Sequence, residues 1–310
     1  MSEKTSGGDS TKSKTSSVIG PEPEKYRSEF RLALRALRRD KLALAGVVIV
    51  LIVVVISIAA PLISPYDPNV ADPEFKRLSP VGSPGHLLGT DTQGRDILSR
   101  LIWGGRVSIP IAIAPIFVAT VTSLILGLIA GYFGGVIAEL VMRPLDVLFA
   151  FPMVLLAVSV ASIMGPGMMN VMLSMGIVLI PFFTRVVYVE VMAVRRMEFI
   201  EAARSCGTGR ARLLFREILP NILAPVLVYA TTSIGGMIVF AAGFSFLGLG
   251  VQPPTADWGI MCANGRLVLL EAPHLATIPG LVIVIVTLAF NVAGDGIRDV
   301  LDPRQRRAVR

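Results

Sequence analysis

Charge is scarce in this chain: 16% of its 310 residues are charged and 53% are hydrophobic, against about 25% and roughly 45–50% in soluble domains. That balance excludes an ordinary soluble domain. Cysteine and histidine are nearly absent too, with two of each. Cys206 and Cys262 fall on opposite sides of the topology derived below, so they do not pair with each other and read as small unpaired side chains. His86 and His274 lie far apart in loops with no Cys, Asp or Glu at ligand spacing, which argues against a metal site.

Lysine is missing from most of the chain, none following Lys76. There is no Gly-x-x-x-x-Gly-Lys-[Ser/Thr] stretch, so the chain lacks the loop that cradles nucleotide phosphates. Ionisable residues are also nearly absent from the apolar runs. Asp146 and Arg185 stand near helix ends, and the spacing to Arg143 predicts a local Arg143–Asp146 pair. A proton-driven carrier usually carries buried Asp, Glu or His at mid-membrane. None is present here, so energy for transport must come from elsewhere. A membrane-embedded enzyme is disfavoured because the scattered histidines supply no catalytic constellation.

Long uncharged runs are what the sequence has in abundance. They cover residues 42–66, 107–138, 147–184, 218–256 and 272–294, and a spanning helix needs roughly 20 apolar residues. The 147–184 run is too long for one crossing and is broken by Gly165-Pro166-Gly167, so it reads as two helices with a tight turn. The 218–256 run ends in LGLGVQPPTADWG, which is turn chemistry, and reads as one span plus a structured loop. The expected fold is therefore all-α and integral to the membrane, with six transmembrane helices.

Six spans place both termini on one side. Lysine and arginine number ten in residues 1–41, one in 132–144, seven in 185–217 and five in 295–310, against five in 65–106 and one in the last loop of the other face. Both termini are thus expected to be cytoplasmic. The net charge of +7 then follows from inner-face residues meeting anionic lipid, with no nucleic-acid partner required. The first hydrophobic stretch is longer than the core of a signal peptide and follows a charged lead, so it is expected to be retained.

Residues 1–24 are rich in Ser, Thr, Lys, Gly and Pro and read as a disordered cytoplasmic tail. In residues 25–41, Tyr26, Phe30, Leu34 and Leu37 recur at helical spacing among basic residues, which reads as an amphipathic interfacial helix. The first span and a long external loop occupy 42–106, a core of spans two to six occupies 107–294, and 295–310 form a second cytoplasmic tail. In the external loop five acids balance five bases, so charge alone does not separate a built cap from a solvated loop. Thr120, Thr122, Ser123, Ser159, Ser162, Thr231, Thr232 and Ser233 read mostly as helix-packing groups. Met164, Met168, Met169, Met172 and Met175 would suit an adaptable surface or simply fill space.

One charged passage interrupts the apolar pattern: EAARSCGTGRARLLFREILP, residues 201–220, within a segment bounded by 195 and 220. Phe199, Ala202, Ala203 and Cys206 follow i, i+3, i+4, i+7, predicting a short helix with a small-residue stripe. Gly207 ends it at positive φ, and Thr208 is placed to cap a second helix. There Leu213, Leu214 and Ile218 face one way and Arg210, Arg212 and Arg216 the other, with Pro220 opening the next span. Two short helices at a bend make a knob. Such a knob suits docking to another protein, or it rests on lipid headgroups.

The passage resembles the cytoplasmic signature of the permease subunits of binding-protein-dependent ABC importers, in particular the C-type subunit of dipeptide and oligopeptide systems. Glu201, Ala202, Ala203, Gly207, Leu219 and Pro220 match that signature at its spacing, whereas Glu217 departs from its apolar position and Ile218 stands beside it. The resemblance extends from about residue 30 to 304 through APLISPYDPN (60–69), LGTDTQGRDILSRLIWGGRVS (88–108), GYFGG (131–135), LDVLFAFP (145–152), FLGLGVQPPTADWG (246–259) and GDGIRDVLDPR (294–304). It implies the type I ABC importer permease fold in a bacterial inner membrane.

It further implies a half-pore working by alternating access with a second permease subunit, two ATPase subunits or domains that bind the ATP and Mg, and an extracytoplasmic solute-binding protein. The knob would be the coupling helix, with Glu201 as a polar contact, Gly207 as the bend, and Arg204, Arg210 and Arg212 as rim contacts or lipid-facing charges. Short peptides are the implied cargo, with nickel complexes, glutathione or another small solute as alternatives.

Overall fold

The structure, a computed structural model, describes residues 40–71 and 80–301. The 1–24 tail, most of the 25–41 helix, several charged residues of the long loop and all of the 295–310 tail after Leu301 lie outside them. Helix α1 (Lys41–Ile58) starts where the Asp40 carboxylate accepts from Leu42 N at 2.9 Å and Ala43 N at 3.1 Å, satisfying two orphan donors of the first turn. A short α2 (Ala60–Ile63) follows. Helix α3 (Ile97–Phe133) is capped in the same way by Asp96, whose carboxylate accepts from Ser99 N at 2.7 Å. It begins well before residue 107, where the uncharged run starts, because the cap and not the first charge-free residue sets a helix start.

Gly134 and Gly135, both at positive φ, end α3 and begin α4 (Gly135–Phe149). After a break at residues 150–152, α5 (Met153–Met164) departs at 90°. The turn at Gly165-Pro166-Gly167, with φ of 81° and 150° at its glycines, leads into α6 (Met168–Arg195). The expected turn is there, but the apolar stretch before it is a bent pair of helices. Five helices are long and apolar enough to cross a membrane by themselves, and the α4–α5 pair makes a sixth if it is counted as one span.

Helix α7 (Glu198–Ser205) is the short element of the charged passage. Helix α8 runs from Arg210 to Phe246, with a π-helical stretch at Leu213–Ile218. The second half of the passage is therefore continuous with the fifth span, and the two-helix knob reduces to one short helix beside a long one. Helix α9 (Trp258–Arg266) and helix α10 (His274–Leu301) complete the described chain.

Small residues set the closest approaches. Cβ atoms built at Gly127 and Gly131 of α3 would lie 2.6 Å and 2.7 Å from the Val187 and Val191 side chains of α6, so the two helices meet backbone to side chain at these points. Hydrogen bonds add direction: Ser123 Oγ donates to Ile180 O at 3.1 Å, and Thr184 Oγ1 donates to Ser123 Oγ at 3.0 Å. Ser123 is a packing group, as its place in the sequence predicts, and Thr184 joins it. A main apolar core fills the centre of the bundle, and a second one, around Val187, Val191, Ile200, Leu213 and Ile222, fills the end that carries α7.

The opposite end is closed by polar groups. Arg100, 1% exposed, donates to Pro68 O at 2.7 Å and Pro254 O at 3.2 Å. Its Nε lies 3.6 Å from the Asp91 carboxylate, which also holds Arg95 at 2.6 Å. His86 Nδ1 meets Asp96 Oδ1 at 2.8 Å. Ser108 Oγ donates to Asp257 Oδ1 at 2.6 Å, and Trp258 Nε1 donates to Leu101 O at 2.9 Å. Buried charges persist only when paired and hydrogen-bonded, and here residues 86–108 pair partly among themselves and partly with Pro68, Pro254, Asp257 and Trp258. The described part of the long loop is thus held by buried polar contacts, a point its balanced charge left open.

Candidate functional site

The charged passage grows directly out of α6. Arg195 donates to Gly131 O at 3.2 Å, fastening the end of α6 to the end of α3. Only Arg196 and Met197 separate α6 from α7, and Met197 N donates to Val194 O at 3.0 Å across the join. Glu198 and Glu201 occupy the first turn of α7, where acidic groups complement the helix dipole.

The anchor of α7 is Ile200, fully buried against the second core, with Ala203 packed beside it. This splits the predicted stripe. Ala203 faces the core, while Phe199, Ala202 and Cys206 are exposed. The true buried face lies one residue, or about 100°, around the helix from the predicted one. A lone β-branched residue among charges was the available signal, and the small-residue pattern outweighed it. Glu201, Arg204, Arg210 and Arg212 are exposed; Pro220 is exposed and Leu219 is half-buried. An open groove between α6 and α7 is lined by Met192, Arg195, Arg196, Glu201 and Arg204.

Gly207 has φ of 77°. Thr208 N donates to Ala203 O at 3.1 Å and Gly207 N to Arg204 O at 3.0 Å, the paired bonds of a Schellman end. Nothing lies within 4 Å of a Cβ built there, so backbone conformation and not space requires glycine. Thr208 does not cap the next helix. That role falls to Gly209, which has extended ψ and no side-chain bond, because the Schellman bonds consume the residue where a cap would sit. From Arg210 the chain enters α8, with Leu213 and Ile218 buried and Arg210, Arg212 and Arg216 outward. The π-helical stretch widens the helix where the passage joins the span, a feature common at functional hinges.

The passage thus presents exposed Phe199, Ala202 and Cys206, rimmed by charge, on a helix rigidly joined to two spans. Residues 123–307 match the binding-protein-dependent transport system inner membrane component family, and residues 28–80 match the N-terminal transmembrane domain of oligopeptide transport permease C. The chain belongs to this permease family. A di/tripeptide transport system permease protein of Pseudomonas aeruginosa is 39% identical over 287 residues, covering 91% of this chain and 95% of that protein. A glutathione transport system permease protein of Pectobacterium atrosepticum is 42% identical over 279 residues, covering 90% and 92%. The inward-facing methionine ABC transporter shares the fold at TM-score 0.53 and 20% identity, over 66% of this chain and 96% of that one.

The permease is accordingly an ABC importer subunit with the type I fold, a multi-pass membrane protein and not an enzyme. Membership implies, in general, a partner permease, an ATPase and a binding protein. Among the described residues no group of three or more His, Cys, Asp or Glu is placed to hold a metal ion. Cys206 is exposed and Cys262 half-buried. Burial, with Asp257 nearby, pushes the Cys262 thiol up to about 11. Asp146 pairs not with Arg143 but with Arg185, at 2.6 Å, while Arg143 meets Glu139 at 3.6 Å. The i, i+4 partner is in reach along the same face, and α6 brings a second arginine that local spacing does not reveal.

Proposed function

We propose that the permease forms half of a pore importing di- or oligopeptides, driven by ATP and Mg bound on two partner ATPase subunits or domains. A homologous second permease completes the pore, and an extracytoplasmic solute-binding protein delivers the cargo. The carrying observation is the exposed α7 helix, with Glu201, Ala202, Ala203, Arg204 and Gly207 in the signature spacing and Arg210, Arg212, Leu219 and Pro220 following. Its outward residues Phe199 and Ala202 find no cover among the described residues. Closure of the ATPase pair moves α7, and α6 and α8 tilt with it to change which side of the pore is open. Peptide cargo is supported by the relatives named for dipeptides and tripeptides. Glutathione, itself a short peptide, is the second reading and is supported by the relatives named for it.

The test is reconstitution of the permease with its partners in proteoliposomes. Uptake of a labelled dipeptide is expected to require both ATP and the binding protein. Uptake that continues without ATP and collapses with the proton gradient would overturn the reading.

We also place both termini and α7 in the bacterial cytoplasm, supported by the distribution of lysine and arginine. A membrane-impermeant maleimide at neutral pH is then expected to label Cys206 in inverted vesicles and not in right-side-out ones. Cys262 stays unlabelled in both, because a thiol raised to about 11 carries almost no thiolate below pH 8. Labelling of Cys206 from the outside would reverse the topology.

A further inference from the structure

The Asp146–Arg185 pair joins two elements that the backbone leaves free to move apart. Asp146 lies at the end of α4, one turn before the 90° break, and Arg185 lies on α6. The guanidinium also sits 4.3 Å over the Phe149 ring, and that ring is 4.6 Å from Phe182 of α6. At the break, Ala150 N and Phe151 N still reach back to Asp146 O and Leu148 O. Pro152 has no N–H to give, and the helical ladder stops. What ties α4 to α6 at the elbow is therefore side-chain chemistry: one ion pair, one cation–π contact and one ring contact.

Depth makes the pair consequential. Helix α6 has 28 residues, about 42 Å, against a hydrocarbon layer of ~30 Å. Arg185 stands about 15 Å from its inner end. Even if the whole excess of about 12 Å projected into the cytoplasm, the Arg185 backbone would remain ~3 Å inside the hydrocarbon, within reach of the interface for its long side chain. A charge so close to the apolar boundary is stabilised by a partner, which Asp146 supplies. In the single chain the two side chains are 46% and 53% exposed, so the pair is open on one side and free to part. The neighbouring Glu139–Arg143 pair is more exposed and lies within α4, so it cannot link helices.

We infer that Arg185, Asp146 and Phe149 form a clamp through which movement of α7 reaches the broken third span. This inference rests on the importer reading above. The line of force is short: α7 joins α6 through two residues, α6 carries Arg185, Arg185 grips Asp146 and Phe149, and the elbow at 150–152 swings α5 with it. Arg185 is thus a positioning residue for transport. Its planar guanidinium serves both contacts at once, which an ammonium would do less well.

The test uses the complete reconstituted transporter with Arg185→Glu, Asp146→Arg and the double swap, with Glu139→Gln as control. Each single reversal is expected to lower uptake roughly tenfold, within the range of mutations along a coupling network, while binding-protein-stimulated ATP hydrolysis persists. The swap restores most of the uptake, and Glu139→Gln leaves it unchanged. A purely structural pair would instead lower the amount of complex and both activities together. If a reversal fails to accumulate, Arg185→Gln and Asp146→Asn take its place under the same criteria. Singles that transport like wild type, or a swap no better than the singles, overturn the clamp while the importer reading stands. Wild-type complex with no ATP-driven uptake overturns the importer reading and the clamp with it.

Discussion

Reversing the charge at Glu201 is expected to stop ATP-driven uptake while leaving the permease in the membrane. Glu201 is exposed in the first turn of α7, where it lines an open groove with Met192, Arg195, Arg196 and Arg204. The helix is held by Ile200, on the other side, so Glu201→Arg leaves the packing intact. It does place a fourth arginine in a groove already rich in them. A partner site built to meet a carboxylate there would instead meet a like charge. Breaking such a contact removes about 3 kcal/mol of docking energy, roughly a hundredfold in affinity. Co-purification of the ATPase with the permease and uptake by the reconstituted complex are the measurements. Both should fall by that factor, with permease abundance unchanged. Retained ATPase binding together with normal uptake would show that α7 is not where the ATPase is gripped.

Gly127→Leu is expected to break the fold itself. A Cβ at this position would sit 2.6 Å from the Val187 side chain and 3.1 Å from Tyr188 N, and the leucine branch would reach further into α6. Neither helix can yield, because Gly131 meets Val191 one turn away and the Ser123–Thr184 bond fixes the register on the other side. Overpacking of this kind costs about 3 kcal/mol or more. That is a large fraction of a typical folding free energy of about 5–15 kcal/mol. Thermal unfolding of the detergent-purified permease and its yield from membranes should both drop sharply. Gly236→Ala is the matched control: nothing lies within 4 Å of a Cβ there, and alanine favours a helix over glycine by roughly 0.5–1 kcal/mol. If Gly127→Leu behaves like Gly236→Ala, the α3–α6 contact is looser than described.

Much of the molecule could be read before any coordinates. The Gly165-Pro166-Gly167 turn, the bend at Gly207 and the packing role of Ser123 follow from local chemistry, and the structure has all three. Local spacing misleads where a residue has two plausible neighbours. Asp146 has Arg143 three residues away, and nothing in the string shows that α6 carries Arg185 to within 2.6 Å of it. The small-residue stripe of α7 is displaced because an eight-residue helix has room for more than one apolar face, and the larger Ile200 joins the core cluster of Val191, Leu213 and Ile222. The break at 150–152 is hidden in the sequence because a charge-free run conceals a bend.

The string of residues by itself determined that this is a multi-span membrane protein, that it carries no phosphate loop, and where its one charged passage interrupts the apolar pattern. Those are properties of composition and of spacing over a few turns, and each residue contributes to them whatever its distant neighbours are. Tertiary structure alone decided that Arg100 is sheathed between Pro68 and Pro254, that Arg185 reaches across to Asp146, and which side of α7 is left open. Burial and pairing of this kind arise between residues dozens to well over a hundred positions apart. They exist only once the helices have packed.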